Sequence, residues 1–178
     1  MSPVASLFSQ FSAFGFSGSR DVVPPCVSEL CSLVPGRSQV FVGCARGVDA
    51  AVRLSFPHAV VFRASSFPAR TFAASLALRS AACVRAVAAV GGCWVSFPSA
   101  ACPLGVVPGP SPFSGSGSGS WSSLALAVFL RVHCVVLLPC GVSIPSSWRV
   151  CVVRELGVAA CGGCFISLSP VDAPLSLF

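Results

Sequence analysis

Short apolar runs alternate with longer stretches of small residues along most of this chain. The runs are rich in Val, Phe and Cys, and each ends close to Gly, Pro, Ser or Arg. Their length and composition are typical of strands. In the longer stretches, apolar side chains recur at roughly helical spacing. This rhythm is typical of βαβ units, so the pattern predicts an α/β protein.

The same pattern gives the bounds of the predicted elements. Strands are predicted at residues 11–17, 39–42, 59–63, 93–97 and 134–138. Helices are predicted at residues 24–34, 47–56, 69–90 and 119–131. We expect a doubly wound, Rossmann-like parallel sheet of about five strands in the order 3-2-1-4-5, with helices on both faces. A further strand at residues 165–168 is left open.

The chain has 178 residues, which is enough for one domain with a sizeable core. We predict a flexible N-terminus at residues 1–10, a Rossmann-like domain at residues 11–141 and a C-terminal extension of unknown role at residues 142–178. A loop rich in Pro, Ser and Gly runs from the fourth strand to Ser118. Loops of that length are usually functional or disordered.

Three glycine corners follow predicted strands and are candidate phosphate-binding loops. They contain Gly18, Ser19 and Arg20, then Gly43, Arg46, Gly47 and Asp49, and finally Gly117, Ser118, Gly119 and Ser120. Because the carboxyl ends of parallel strands share one edge of a sheet, we expect these corners to meet at one crevice. Unpaired N–H groups at helix N-termini there bind phosphate readily.

Each corner also has a plainer interpretation when it is taken alone. Arg46 could add a guanidinium to a phosphate site, and Asp49 could bind a ribose hydroxyl or cap the helix. Equally, these two residues could form a surface ion pair at an ordinary strand-turn-helix corner. A Gly/Ser run is most often a flexible linker.

The composition bears on the surroundings of the protein. Hydrophobic residues make up 54% of the chain, charged residues make up 9%, and the mean hydropathy is +0.88. Apolar runs are nevertheless interrupted before they reach membrane-spanning length. A signal peptide begins with basic residues, whereas the first basic residue of this chain is Arg20. We therefore expect a cytoplasmic protein with no membrane partner. The net charge of +6 favours anionic partners.

The 11 cysteines are expected to be mostly buried apolar residues of a reduced protein. The one Cys-x-x-Cys motif, from Cys161 to Cys164, has no second pair at zinc-ribbon spacing. His58 and His133 are distant from it in the sequence. We expect no metal site, and a redox or metal role for this motif is left open.

The order of these motifs resembles the SLOG superfamily of Rossmann-like nucleotide-binding proteins. This superfamily includes the DNA-processing protein A (Smf), LOG and YpsA-like families. The resemblance covers about Phe11 to Gly141 and rests on SGSR, VGCARGVDAA and GSGSGSWSSLALA, the last followed by HCVVLLPCG. It implies a nucleotide or nucleotide-derived phosphate ligand at the three corners. It also implies that Arg79 lines the pocket, where these proteins often carry an Arg-Asn pair and this chain has Ser80 after the arginine.

The resemblance implies three functions, of which we favour ligand binding or sensing without catalysis. LOG-type enzymes release a base from nucleoside monophosphates and carry acidic residues after their glycine-rich motif. Here Trp121, Ser122 and Ser123 stand where the acids would fall. Hydrolysis would lack its carboxylate, so no catalytic residue is expected and no cofactor besides the nucleotide is identified.

Single-stranded DNA binding of the DNA-processing protein A type is the remaining alternative. Phosphates would be contacted by Arg20, Arg46, Arg53, Arg79 and Arg85. Trp94, Phe97 and Trp121 could stack with bases, although Trp94 and Phe97 lie in a predicted buried strand, which favours the core. Assembly as a homo-oligomer is left open.

Overall fold

The computed structural model describes residues 2–113, 115, 118–148, 151–159 and 161–170. Its helices are α1 Pro3–Phe8, α2 Cys26–Leu33, α3 Val48–Ser55, α4 Phe72–Ala89 and α5 Gly119–Phe129. Its strands are β1 Ala13–Gly18, β2 Gln39–Gly43, β3 Val60–Phe62, β4 Cys93–Phe97, β5 His133–Leu138, β6 Cys151–Val158 and β7 Cys164–Pro170. A 3-10 turn, Ala64–Ser66, follows β3.

The described strands form one mixed sheet in the order β3-β2-β1-β4-β5-β7-β6. Strands β1 to β5 pair in parallel, whereas β7 is antiparallel to β5 and β6 is antiparallel to β7. The α/β class is confirmed, and the first five strands lie in the predicted order 3-2-1-4-5. The five predicted strands and four predicted helices all occur, and each begins and ends within three residues of its predicted bounds.

The expectation of a sheet of about five parallel strands is corrected. The β6–β7 hairpin adds two strands beyond β5, with β7 pairing along the length of β5 from Cys134 to Leu138. The hairpin lies in the segment predicted as a C-terminal extension of unknown role. In β6, the consecutive charged residues Arg154 and Glu155 and a bulge at Gly157 interrupt the alternation of apolar and polar residues. The sequence pattern therefore did not predict this strand.

Helices cover both faces of the sheet. On one face, α4 and α5 pack with Val84 and Leu124 on a layer that includes Trp94 of β4. On the other face, α1, α2 and α3 pack on a second layer, in which Val27 contacts a set of apolar side chains that includes Val95. The central strands are therefore buried on both sides, which explains why they are continuous apolar runs.

Helix α4 begins and ends at recognisable capping motifs. The Thr71 hydroxyl accepts a hydrogen bond from the Ala74 N–H at 3.1 Å. At the other end, the N–H groups of Gly91 and Gly92 donate to the carbonyls of Ala88 and Val87, which is a Schellman motif. Strand β4 begins directly afterwards, so this motif sets the entry of the chain into the centre of the sheet.

By length and composition, α4 is also the described helix that could cross a membrane. It nevertheless packs against α5 and β2 and carries Arg79 in a buried ion pair. Core helices of globular domains meet the same criteria of length and hydropathy. A cytoplasmic location stays a prediction.

The first residues form a short helix, α1, where a flexible N-terminus was expected. The Ser2 hydroxyl caps it by accepting the Ala5 N–H, and Pro3 stands at its first position. Phe8 is fully buried, and its ring centroid lies 4.9 Å from that of Phe14 in β1. Burial of this ring holds α1 against the sheet. A helix of six residues is too short to show helical periodicity in the sequence, so it was not predicted.

Truncation of Phe8 tests whether α1 belongs to the folded core. We expect Phe8→Ala to lower the free energy of unfolding by about 3–5 kcal/mol, because it removes a buried aromatic ring and leaves a cavity. Leu54→Ala is the control, since Leu54 is 83% exposed and its truncation should change the free energy by less than about 0.5 kcal/mol. Equal effects of the two substitutions in urea denaturation would contradict the packing of α1.

His133 at the start of β5 gives a second test. Its ring lies 5.4 Å from the Phe11 ring, and its Nε2 is 2.8 Å from the Ser167 hydroxyl. Burial lowers the pKa of His133 below its ordinary value of 6.5. The folded state therefore binds this proton less readily than the unfolded state, and stability should fall as the pH drops below about 6.5. Urea unfolding of the wild type and of His133→Gln at a series of pH values tests this. The free energy of unfolding should fall less steeply with decreasing pH in the variant.

Candidate functional site

A cavity of about 700 Å³ opens at the carboxyl edge of the parallel strands. It is lined by the end of β1, by Trp94 of β4, by residues of α4 as far along as Cys83, and by the first turn of α5. From β1 the chain continues to β2 on one side, whereas β4 lies on the other side of β1. The cavity thus lies where the strand order reverses, which is the usual ligand position in open α/β sheets.

A buried ion pair forms one wall of this cavity. Arg79 Nη1 of α4 lies 2.9 Å from Asp49 Oδ2 of α3, and both side chains are less than one-tenth exposed. The same carboxylate oxygen accepts the Ala45 N–H at 3.2 Å. Asp49 therefore holds both the loop after β2 and the guanidinium of α4. It is neither a surface residue nor a partner of Arg46.

Gly43 at the end of β2 makes room for this ion pair. A Cβ at this position would overlap the Arg79 guanidinium and the Asp49 carboxylate. The Gly43 carbonyl in turn accepts a hydrogen bond from Arg53 Nη1 at 2.6 Å. The close approach of these two side chains thus requires a glycine at this position.

One nitrogen of the buried guanidinium has no partner among the described residues. Arg79 Nε is buried and makes no hydrogen bond to them. Arg79 lines the cavity together with Ser80, which stands where the resemblance expects an asparagine. A buried donor without a partner is a destabilising feature of the fold.

The N-terminus of α3 is occupied by the protein itself. The Val48 N–H donates to the Ser19 carbonyl at 3.0 Å. Gly47 has a φ of +70°, and a Cβ there would overlap the Ser19 and Arg20 backbone. The loop after β1 therefore covers this helix end and leaves little space for an anion.

The loop after β1 brings one unpaired cation to the mouth of the cavity. The Ser19 hydroxyl accepts the N–H groups of Asp21 and Val22, which fixes the turn. Asp21 forms an exposed ion pair with Arg46. Arg20 lines the cavity, is exposed, and forms no ion pair with any residue that the structure describes.

The N-terminus of α5 faces the same cavity from the opposite side. Ser118 and Ser120 approach each other through their hydroxyls at 2.5 Å, and the Ser122 N–H donates to the Ser118 carbonyl. Among the described residues, no acceptor contacts the N–H groups of residues 119–121. The helix dipole therefore makes the N-terminus of α5 a positive part of the cavity wall.

A chain of buried hydrogen bonds positions that helix end on the sheet. Trp94 Nε1 donates to the Ser17 hydroxyl at 3.2 Å, and Ser17 donates to the Ser96 hydroxyl at 3.2 Å. Ser96 donates to the Ser120 carbonyl at 3.4 Å. These hydrogen bonds join β4, β1 and α5, so the first turn of α5 is held against the sheet.

The structure brings most of the predicted site residues to one place. The cavity is lined by Gly18, Ser19, Arg20, Gly43, Asp49, Arg79, Ser118, Gly119 and Ser120. Arg46 and Gly47 do not line it. Gly117 lies outside the described residues.

Several lining residues were missed by the sequence analysis. The first turn of α4 contributes Thr71 and Phe72, the latter 73% exposed, and the loop before α5 contributes Phe113. The capping signal at Thr71 marks a helix start that follows the carboxyl end of β3, and it could have placed this turn at the cavity. No local signal points to Phe113.

The chemistry available in the cavity is limited in the described part of the chain. The lining carboxylates are Asp21 and Asp49, and each is paired with an arginine. Cys83 also lines the cavity, but burial raises the pKa of its thiol, with a smaller contribution from the Asp49 charge, so it stays protonated. The described residues contain no cluster of metal-binding side chains. The arrangement is suited to holding an anion more than to acid-base or thiolate chemistry.

Comparison with protein-family models, with curated proteins and with solved structures found no match to this chain. The resemblance to the SLOG superfamily is therefore carried by the motifs alone.

Substitutions in the two ion pairs test the role of the buried one. Asp49→Asn leaves a buried guanidinium without its counter-charge, and we expect it to lower the free energy of unfolding by about 3–5 kcal/mol. Asp21→Asn removes the exposed pair and should change it by less than about 1 kcal/mol.

A double-mutant cycle with Arg79→Met completes this test in urea denaturation. The double variant Asp49→Asn/Arg79→Met should lose less stability than the sum of the single variants, because no lone buried charge remains. Additive losses would show that the two side chains do not depend on each other.

Proposed function

We propose that the cavity at the carboxyl edge binds a nucleotide or a nucleotide-derived phosphate ligand, and that the protein is a binding or sensing module. The observation that carries the proposal is the meeting of Arg20 with the N-terminus of α5 across one cavity at the point where the strand order reverses. On this interpretation, the five parallel strands and their helices form a doubly wound, Rossmann-like unit of the SLOG type.

The charge balance of the cavity favours an anion. Its charged lining residues in the described chain are Arg20, Asp21, Asp49 and Arg79. Asp49 is neutralised by Arg79, and Asp21 is neutralised by Arg46 at the rim. Arg20 is left as an uncompensated cation, and the α5 dipole adds partial positive charge. A phosphate group would take hydrogen bonds from the guanidinium and from the backbone N–H groups of residues 119–121.

The remainder of the cavity fits the flat, mostly apolar part of such a ligand. Phe72 and Phe113 line it, and Phe72 is 73% exposed. Aromatic side chains can stack with any of the nucleobases, because every base has a π-face. A volume of about 700 Å³ lies within the range of small-molecule sites.

The two alternatives have less support. For single-stranded DNA, the aromatic residues expected to stack with bases are buried in the core, with Trp94, Phe97 and Trp121 at most 1% exposed. For release of a base from a nucleoside monophosphate, a free carboxylate at the cavity is needed. Both lining carboxylates of the described chain are already paired with arginines.

Thermal unfolding with a panel of ligands tests the proposal. The panel consists of nucleoside mono-, di- and triphosphates, the matching nucleosides, inorganic phosphate and a short single-stranded oligonucleotide. At least one nucleotide should raise Tm, by an amount that grows with its concentration, because it binds only the folded state. The nucleosides without phosphate should give a smaller shift.

Two arginine variants give this experiment a matched control. Arg20→Met should reduce affinity for the active nucleotide by about tenfold or more, since it removes a charged hydrogen bond to phosphate. Arg37→Met should bind like the wild type, because Arg37 is exposed, lies outside the cavity lining and forms no ion pair with a residue that the structure describes. No stabilisation by any nucleotide would sink the proposal, and a shift by the oligonucleotide alone would favour the DNA alternative.

A further inference from the structure

Two cysteines from distant parts of the chain meet at the outer edge of the fold. Cys26 is the first residue of α2, and Cys161 lies in the turn between β6 and β7. Their Sγ atoms are 3.3 Å apart, although the residues are 135 positions apart in the sequence. Cys161 is exposed, whereas Cys26 is buried. The partner of Cys161 is therefore the thiol of α2 and not Cys164 of its own Cys-x-x-Cys motif.

We propose that Cys26 and Cys161 form a reversible disulfide site that ties the β6–β7 turn to α2. Two thiol sulfurs at 3.3 Å need only a small movement of the turn to reach the bonded separation of about 2.05 Å. In the reduced protein this contact is a weak S–H···S hydrogen bond, and oxidation replaces it with a covalent bond.

The oxidant would be a low-molecular-weight disulfide such as oxidised glutathione. The exposed Cys161 loses its proton to solvent and attacks one glutathione sulfur, which forms a mixed disulfide and releases one glutathione thiolate. Cys26 then loses its proton and attacks Cys161 Sγ, which releases the second glutathione. Two protein thiols are oxidised to one disulfide, and one glutathione disulfide is reduced to two thiols.

The second step is expected to be the slow one. Burial raises the pKa of the Cys26 thiol, and the adjacent Cys161 raises it further. Because only the thiolate attacks, the reaction at Cys26 is slow at neutral pH and faster as the pH rises. The mixed disulfide at Cys161 should therefore be seen early and decay into the protein disulfide.

Mass spectrometry of the oxidised full chain tests the pairing. The chain has no lysine, so trypsin cuts after arginine and releases residues 21–37, with Cys26 and Cys31, and residues 155–178, with Cys161 and Cys164. After incubation with oxidised glutathione, alkylation and digestion without reductant, these two peptides should appear joined. The joined species should vanish with dithiothreitol. Oxidation should raise Tm by roughly 5–10 °C, since the bond closes a long loop.

Four single variants identify the sulfurs. Cys26→Ser and Cys161→Ser should each abolish the joined species, whereas the neighbours Cys31→Ser and Cys164→Ser should retain it. Cys161→Ser lies in an exposed turn, so the test does not depend on the folding of a core variant. Failure to join the peptides, an internal Cys161–Cys164 bond, or loss of the link in Cys31→Ser or Cys164→Ser would overturn the proposal.

Discussion

The ion pair between Asp49 and Arg79 is the interaction on which the carboxyl edge of the sheet depends. It joins α3 to α4 across the end of β2, and less than one-tenth of either side chain is exposed. Separating the two charges there would leave one of them without solvent or counter-charge, which is far less favourable than the loss of an exposed pair. The absence of a side chain at Gly43 lets both groups lie against the strand end. The position of α4, and with it one wall of the cavity, follows from this contact.

The internal pairing of charges also determines what the cavity can attract. With Asp49 and Arg79 neutralising each other, the local potential is left to Arg20 and to the backbone dipoles at the start of α5. The hydrogen bonds from Trp94 through Ser17 and Ser96 tie that helix end to the sheet. A site built in this way loses little conformational entropy on binding, because its donors are already oriented.

Local sequence was sufficient for the parallel part of the sheet and insufficient for the pairing of charges. Strands β1 to β5 are apolar runs separated by helices with clear start and stop signals, so their bounds and order followed from periodicity and topology. The partners of Asp49 and Cys26 lie 30 and 135 residues away, and contacts of that range have no local signal. Short α1 and the bulged β6 lack the periodicity that reveals longer elements.

The irregular strand β6 has a further consequence for the behaviour of the molecule among its own copies. Among the described strands it is the last in the sheet, and its outer backbone groups could template another chain. Arg154 and Glu155 place charges on this strand, and the bulge between Glu155 and Gly157 twists it out of a flat ribbon. In a chain with so few charged residues, their position on this border discourages sheet-to-sheet association and the growth of fibrous aggregates.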